Sequence, residues 1–116
     1  MIGAELLLKS IFNSGVDKIF TLSGNQIMPI YNAAIDLDIE MVHCRHEASA
    51  VFMADGYAQS SGKVGVALVT AAPGFTNSLG PLFAINSNQS PVLLLSGDSA
   101  ITVSYTHLTL PTKRIV

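Results

Sequence analysis

The sequence predicts an α/β fold, a parallel sheet with helices on both faces. Two observations carry this. Segments with a helical apolar period alternate with short β-rich runs from residue 4 to residue 96, joined by loops of a few residues. Residues 64–69 (Val-Gly-Val-Ala-Leu-Val) form an uninterrupted apolar run, the pattern of a strand covered on both sides. Short loops between alternating elements demand crossover connections, and hence parallel pairing.

The elements follow in order. Residues 4–13 place Leu6, Leu7, Leu8, Ile11 and Phe12 on a broad apolar face, with Gly15 as the stop. Residues 18–22 (Lys-Ile-Phe-Thr-Leu) read as a strand and 23–26 (Ser-Gly-Asn-Gln) as a loop. A second helix is expected over 27–37, with Pro29 tolerated in its first turn. A second strand follows over 39–43, then a long helix over 47–60 ended by Gly62. After the strand at 64–69, residues 70–74 (Thr-Ala-Ala-Pro-Gly) make a turn, 75–86 a helix, and 91–96 a fourth strand stopped by Gly97. No internal repeat is visible.

Composition narrows the function classes. The 116 residues allow one domain or a piece of one. They are 49% hydrophobic and 12% charged, against about 25% charged in ordinary soluble domains. So greasy a chain suggests a segment of something larger, or one with an extensive interface. The net charge of -2 and the singly scattered basic residues leave no stripe for a nucleic acid. No apolar run approaches the roughly 20 residues that span a bilayer, and Glu5 and Lys9 interrupt any signal-like pattern. One cysteine, Cys44, excludes an internal disulfide framework, and a cytoplasmic protein is the simplest expectation. Residues 101–116 carry no glycine and no helical period where a loop and helix should follow. We expect a partial domain over 1–100 and a tail that is non-native or disordered.

One carboxylate stands out. Glu47 lies where an apolar strand gives way to an apolar helix, and seven uncharged residues follow it. A charge there needs a partner or a task. In a parallel sheet the ligand crevice lies beyond the carboxyl ends of the strands. Four segments reach that edge: 23–26, 44–47, 70–77 and the chain from Gly97 onward. Gly24 and Gly74 suit tight turns or close approach to a ligand. One carboxylate among the neutral groups of Asn25, Gln26, Thr70 and Asn77 does not suit a phosphate. It suits a nitrogen heterocycle that exchanges a proton.

Competing motifs fail. His46-Glu47 would open a zinc helix, but position 50 is alanine. His43, Cys44 and His46 are adjacent residues at a strand end and point in different directions. There is no Gly-x-Gly-x-x-Gly, no phosphate-binding Gly-Lys-Ser/Thr, and no Gly-x-Ser-x-Gly.

A series of segments then becomes recognisable: Arg45-His46-Glu47-Ala48, 53–58 (Met-Ala-Asp-Gly-Tyr-Ala), 62–66 (Gly-Lys-Val-Gly-Val), 70–77 (Thr-Ala-Ala-Pro-Gly-Phe-Thr-Asn) and Ser90-Pro91-Val92. Over about residues 2–100 it resembles the N-terminal pyrimidine-binding domain of thiamine-diphosphate enzymes of the acetolactate synthase and benzaldehyde lyase type. One position departs: Ala72 stands where such enzymes usually carry glycine before Pro-Gly.

The resemblance implies the following. The fold would be an incomplete pyrimidine-binding domain. Glu47 would be the catalytic glutamate, bonded to the ring nitrogen N1′ of the cofactor's aminopyrimidine and so promoting loss of the C2 proton. Gly24, Thr70, Pro73 and Asn77 would line the pyrimidine pocket, and Asn25 and Gln26 would face the substrate, a 2-keto acid or aldehyde. Apolar neighbours such as Val51 and Phe52 would surround Glu47 and favour its protonated form against the pull of the helix end. Mg²⁺ and the diphosphate would be bound by a domain absent from this chain, in a homodimer or homotetramer, so the chain alone would supply half a site and be inactive. Gly56 would let another backbone approach, and Phe52, Met53 and Tyr57 would be core or interface. Asp55 would be a hydrogen-bond hub. The alternative is a non-catalytic binding or regulatory module with the same fold.

Overall fold

The computed structural model describes residues 2–100. The expectation about residues 101–116 lies outside that range. Helices α1 (Gly3–Asn13), α2 (Met28–Ala34), α3 (Glu47–Ser61) and α4 (Pro73–Asn88) alternate with strands β1 (Lys18–Thr21), β2 (Glu40–His43), β3 (Gly65–Val69) and β4 (Val92–Ser96). The strands form one sheet in the order β2-β1-β3-β4, and every pairing is parallel. The α/β class with a parallel sheet is as the alternation predicts. Among the described residues no helix is long and apolar enough to cross a membrane.

The period of two along the central strands sorts side chains to opposite faces. Ile19 of β1 and Val66 and Leu68 of β3 pack with Leu8 and Ile11 of α1 and Ala34 of α2. Their neighbours Phe20 and Ala67 pack with Ala50, Val51 and Ala54 of α3 and Ile85 of α4. Helices thus cover both faces, and β3 is buried along its whole length. That is why its sequence is uninterrupted by polar residues.

Gly65 explains how closely α3 lies on the sheet. A Cβ there would run into the backbone of Ala54, closer than any real side-chain contact. The absence of a side chain lets helix backbone meet strand backbone directly. At the far end of α3, Gly62 takes the left-handed conformation (φ 72°) that closes the helix.

The ends of elements depart from expectation in instructive ways. Residues 25–27 wind into a single 3₁₀ turn before α2 instead of staying a loop. The helix stops at Ala34, three residues short of the expected 37. Helix α4 starts at Pro73, two residues before the expected start, because Pro73 occupies the first turn, where its missing N–H costs nothing. It also runs through Pro81, which supplies no N–H for the carbonyl of Asn77.

Candidate functional site: the carboxyl edge of the sheet

Because all four strands run the same way, the turns after β1, β2, β3 and β4 leave from one edge. Glu47 stands there as the first residue of α3. His46 caps the helix in extended conformation, and its Nδ1 accepts the amide of Ala48 at 3.0 Å. The Glu47 side chain is half-buried. Asn77, in the second turn of α4, donates from Nδ2 to Glu47 Oε2 at 3.1 Å. A neutral amide thus engages one carboxylate oxygen, and Oε1 is not used in any hydrogen bond among the described residues. A bond to an ionised acceptor is stronger than a neutral one, and it holds the carboxylate in one orientation.

The expected apolar enclosure of Glu47 is only half present. Val51, one helical turn on, is fully buried. Phe52 is 52% exposed and cannot cover the carboxylate. Five residues along a helix is about 140° beyond a full turn, so Phe52 emerges on another face. Phe52 and Met53 are surface residues of this chain, not core.

A second group of residues forms around Thr70, immediately after β3. Its hydroxyl lies 2.7 Å from Gln26 Oε1 and donates to it. A Cβ on Gly24 would overlap Thr70 Cβ and Oγ1, and one on Gly74 would lie 2.9 Å from Thr70 Cγ2. Both glycines are needed for close approach to a single threonine. The turn after β4 joins in: a Cβ on Gly97 would come within 2.8 Å of Gln26 Cβ. Ser96 Oγ also donates to the Thr70 carbonyl at 3.2 Å. Three loops are locked together through Thr70 and Gln26. Among the described residues no hydrogen bond joins this group to the Glu47–Asn77 pair.

The remaining candidates sit at the same edge with looser ties. Asn25 is exposed and opens the 3₁₀ turn; its side chain makes no hydrogen bond among the described residues. Pro73 is exposed in the first turn of α4. Ahead of it Ala72 holds φ 50°, ψ -100°, a backbone region that favours glycine. An open cleft of about 410 Å³ lies beside it, lined by Ala72, Phe75, Ser96, Gly97 and Asp98.

Behind the edge the strand ends are tied by Thr21 and Tyr31, which the sequence did not single out. Thr21 is fully buried; its hydroxyl donates to the Leu68 carbonyl at 2.8 Å and lies 2.7 Å from Tyr31 Oη. Burial pushes the Tyr31 phenol above its ordinary value, and its ring stacks on His43 at 5.7 Å. The thiol of Cys44 donates to backbone carbonyls of Thr21 and His46. No group of three metal-ligating side chains exists among the described residues. Asp55, 7% exposed, accepts from Gln59 Nε2 at 2.8 Å. Gly56 has nothing within 4 Å of its would-be Cβ, so no backbone among the described residues approaches it.

The comparisons with known proteins agree with this architecture. The family described as "Thiamine pyrophosphate enzyme, N-terminal TPP binding domain" matches residues 1–112. The chain is 42% identical over 96 residues to the acetolactate synthase large subunit of Haemophilus influenzae, covering 82% of this chain and 17% of that protein. It is 45% identical over 98 residues to 2-hydroxyacyl-CoA lyase 2 of Danio rerio, covering 84% and 16%. It is 39% identical over 99 residues to the acetolactate synthase large subunit of Buchnera aphidicola, covering 84% and 17%. The chain therefore spans about a sixth of the length of these relatives. By its parallel sheet, its edge of glycine-packed turns and this match along nearly its whole length, the chain belongs to the N-terminal domain family of the thiamine-pyrophosphate enzymes.

Proposed function

We propose that this chain is the pyrimidine-holding portion of a thiamine-diphosphate-dependent enzyme that makes or breaks a C–C bond next to a carbonyl, with a 2-keto acid or aldehyde as substrate. The observation that carries the reading is the half-buried Glu47 carboxylate, oriented by the Asn77 amide at the edge where strand-end turns converge. The donor set fits the cofactor's aminopyrimidine: one carboxylate, neutral amides and a hydroxyl. When bound, the cofactor supplies a carbon that can hold the electron pair released from the broken bond.

In this reading Glu47 holds a proton at the pyrimidine N1′, using the oxygen that Asn77 leaves free. Asn77 keeps the carboxylate aimed. Gly24, Thr70 and Pro73 shape the wall of the pocket, and Asn25 and Gln26 face the substrate. The diphosphate and its Mg²⁺ fall to residues outside those described. The exposed apolar side chains of α3 and α4, Phe52, Met53, Leu79 and Phe83, support assembly as a homodimer or homotetramer. A cytoplasmic setting suits the free Cys44 thiol.

The test is titration of the isotopically labelled chain with thiamine diphosphate, alone and with a diphosphate-binding domain supplied. The reading expects resonance changes at Glu47, Asn77, Gly24 and Thr70, larger when the second domain is present. Unchanged resonances at all four in both titrations would contradict it.

A further inference from the structure

The Thr70–Gln26 contact assigns a direction to a side chain that could otherwise point its amide either way. Gln26 carries one acceptor and two donors on its head group. Thr70 Oγ1 donates to Gln26 Oε1 at 2.7 Å, so the carbonyl oxygen is the atom facing Thr70. Thr70 cannot withdraw, because Gly24 and Gly74 both pack against its side chain without a Cβ to spare. The stem of Gln26 is fixed as well: its Cβ lies against the backbone of Gly97. Head and stem are thus held by two different loops. The Nε2 group makes no hydrogen bond among the described residues, and Gln26 is exposed at the carboxyl edge.

We propose that Thr70 is a positioning residue that turns the Gln26 amide so its N–H donors face the crevice, making this a subsite for an oxygen acceptor, the carbonyl or carboxylate of the substrate. The inference rests on the proposed function, since it takes the crevice beside Gln26 to be where substrate lies. It adds the polarity of the contact. A substrate that offers only donors gains nothing from the outward N–H groups of Gln26, whose carbonyl oxygen is turned toward Thr70. Serine at position 70 keeps the hydroxyl and the orientation. Valine keeps the shape and frees the amide to rotate.

Titration of the labelled chain with pyruvate, acetaldehyde and methylammonium tests this, reading the Gln26 side-chain NH₂ resonances. The two acceptors are expected to move them at tens of millimolar and methylammonium to leave them still. Thr70→Val should weaken the response roughly five-fold, the worth of about one hydrogen bond, and Thr70→Ser should restore it. Should Thr70→Val fail to fold, Gln26→Glu gives a second test: it keeps an acceptor for Thr70, removes the outward donors, and should cut the pyruvate-induced shifts of the Asn25 and Gly97 amides by a similar factor. A Gln26 NH₂ that ignores both acceptors, or responds as strongly to methylammonium, overturns the inference. So does a Thr70→Val chain that responds like the wild type. If thiamine diphosphate perturbs Glu47 and Asn77 while Gln26 stays silent to acceptors, this inference alone fails. If Gln26 responds while the cofactor perturbs nothing, the polarity stands and the cofactor reading fails.

Discussion

Asn77 of α4 reaches across to Glu47 of α3, its Nδ2 donating to Oε2 at 3.1 Å. The two helices leave different strands, β3 and β2, and meet near their N-terminal ends. Asn77→Ala removes that bond, worth about 1 kcal/mol between an exposed amide and a half-buried carboxylate, and gains up to roughly 0.7 kcal/mol of helix propensity. Folding stability should therefore change little. Affinity for thiamine diphosphate in the assembled protein should fall about five-fold, because the carboxylate is no longer aimed. Chemical denaturation and calorimetric titration on the same variant separate the two effects.

Gly24→Ala should be costly for a reason local to Thr70. The new methyl has no room against Thr70 Cβ and Oγ1, so a loop must shift. Overpacking of this kind costs about 1–3 kcal/mol. Removing the opposing side chain with Thr70→Gly should return part of the loss, so the double variant is more stable than the sum of the single effects. Urea midpoints of the four proteins give the coupling.

Ala72 holds a backbone conformation that glycine adopts without strain. Such strain costs about 1–3 kcal/mol, while a glycine gives back about 0.4–1 kcal/mol through a freer unfolded chain. Relief of strain outweighs that loss, so Ala72→Gly should stabilise the chain by about 1 kcal/mol. Ala72→Val should destabilise it, since a β-branched residue fits that conformation worse still. A urea midpoint that rises for glycine and falls for valine, with unchanged slope, is the expected result.

The link from α3 to the start of β1 should be sensitive to pH at both extremes. Tyr57 Oη donates to Asp17 Oδ1 at 2.8 Å, and Lys63 Nζ lies 3.5 Å from Oδ2. The Tyr57 hydroxyl, with Lys63 behind it, holds the Asp17 carboxyl below its ordinary 3.8. A lowered acid contributes stability above its unfolded value and loses it as pH falls through the folded one. The same bond raises the Tyr57 phenol above 10.0, so its contribution is present below pH 10 and lost as pH rises through the folded value. Tyr57→Phe keeps the ring beside Phe20, whose centroid is 5.8 Å away, and should flatten both limbs of a stability–pH curve.

The order and type of the helices and strands are legible in the sequence because they rest on local period. The uninterrupted apolar run through Val66, Ala67 and Leu68 is the cover on both faces of the sheet written in residues. Glu47 stands out for the same local reason, a charge at an apolar strand–helix junction. Meetings between loops are not legible. Nothing near Thr70 in sequence says that Gly24 and Gln26 converge on it, since those contacts exist only once β1 and β3 are side by side. The early start of α4 belongs here too: Pro73-Gly74 reads as a turn until Gly74 is seated on Thr70. Phe52 misleads because apolar character says a side chain prefers cover, not which face of the helix it leaves from.

In the proposed function Glu47 holds a proton at the cofactor's pyrimidine, and exchange at the thiazolium C2 reports on it. Hydrogen–deuterium exchange of bound thiamine diphosphate should be followed by NMR in the chain assembled with a diphosphate-binding domain, for the wild type and for Glu47→Gln. The account predicts that glutamine, equal in size but unable to hold the proton, slows exchange by about 10²-fold or more while the cofactor still binds. Exchange at the wild-type rate in a Glu47→Gln protein saturated with cofactor would contradict it.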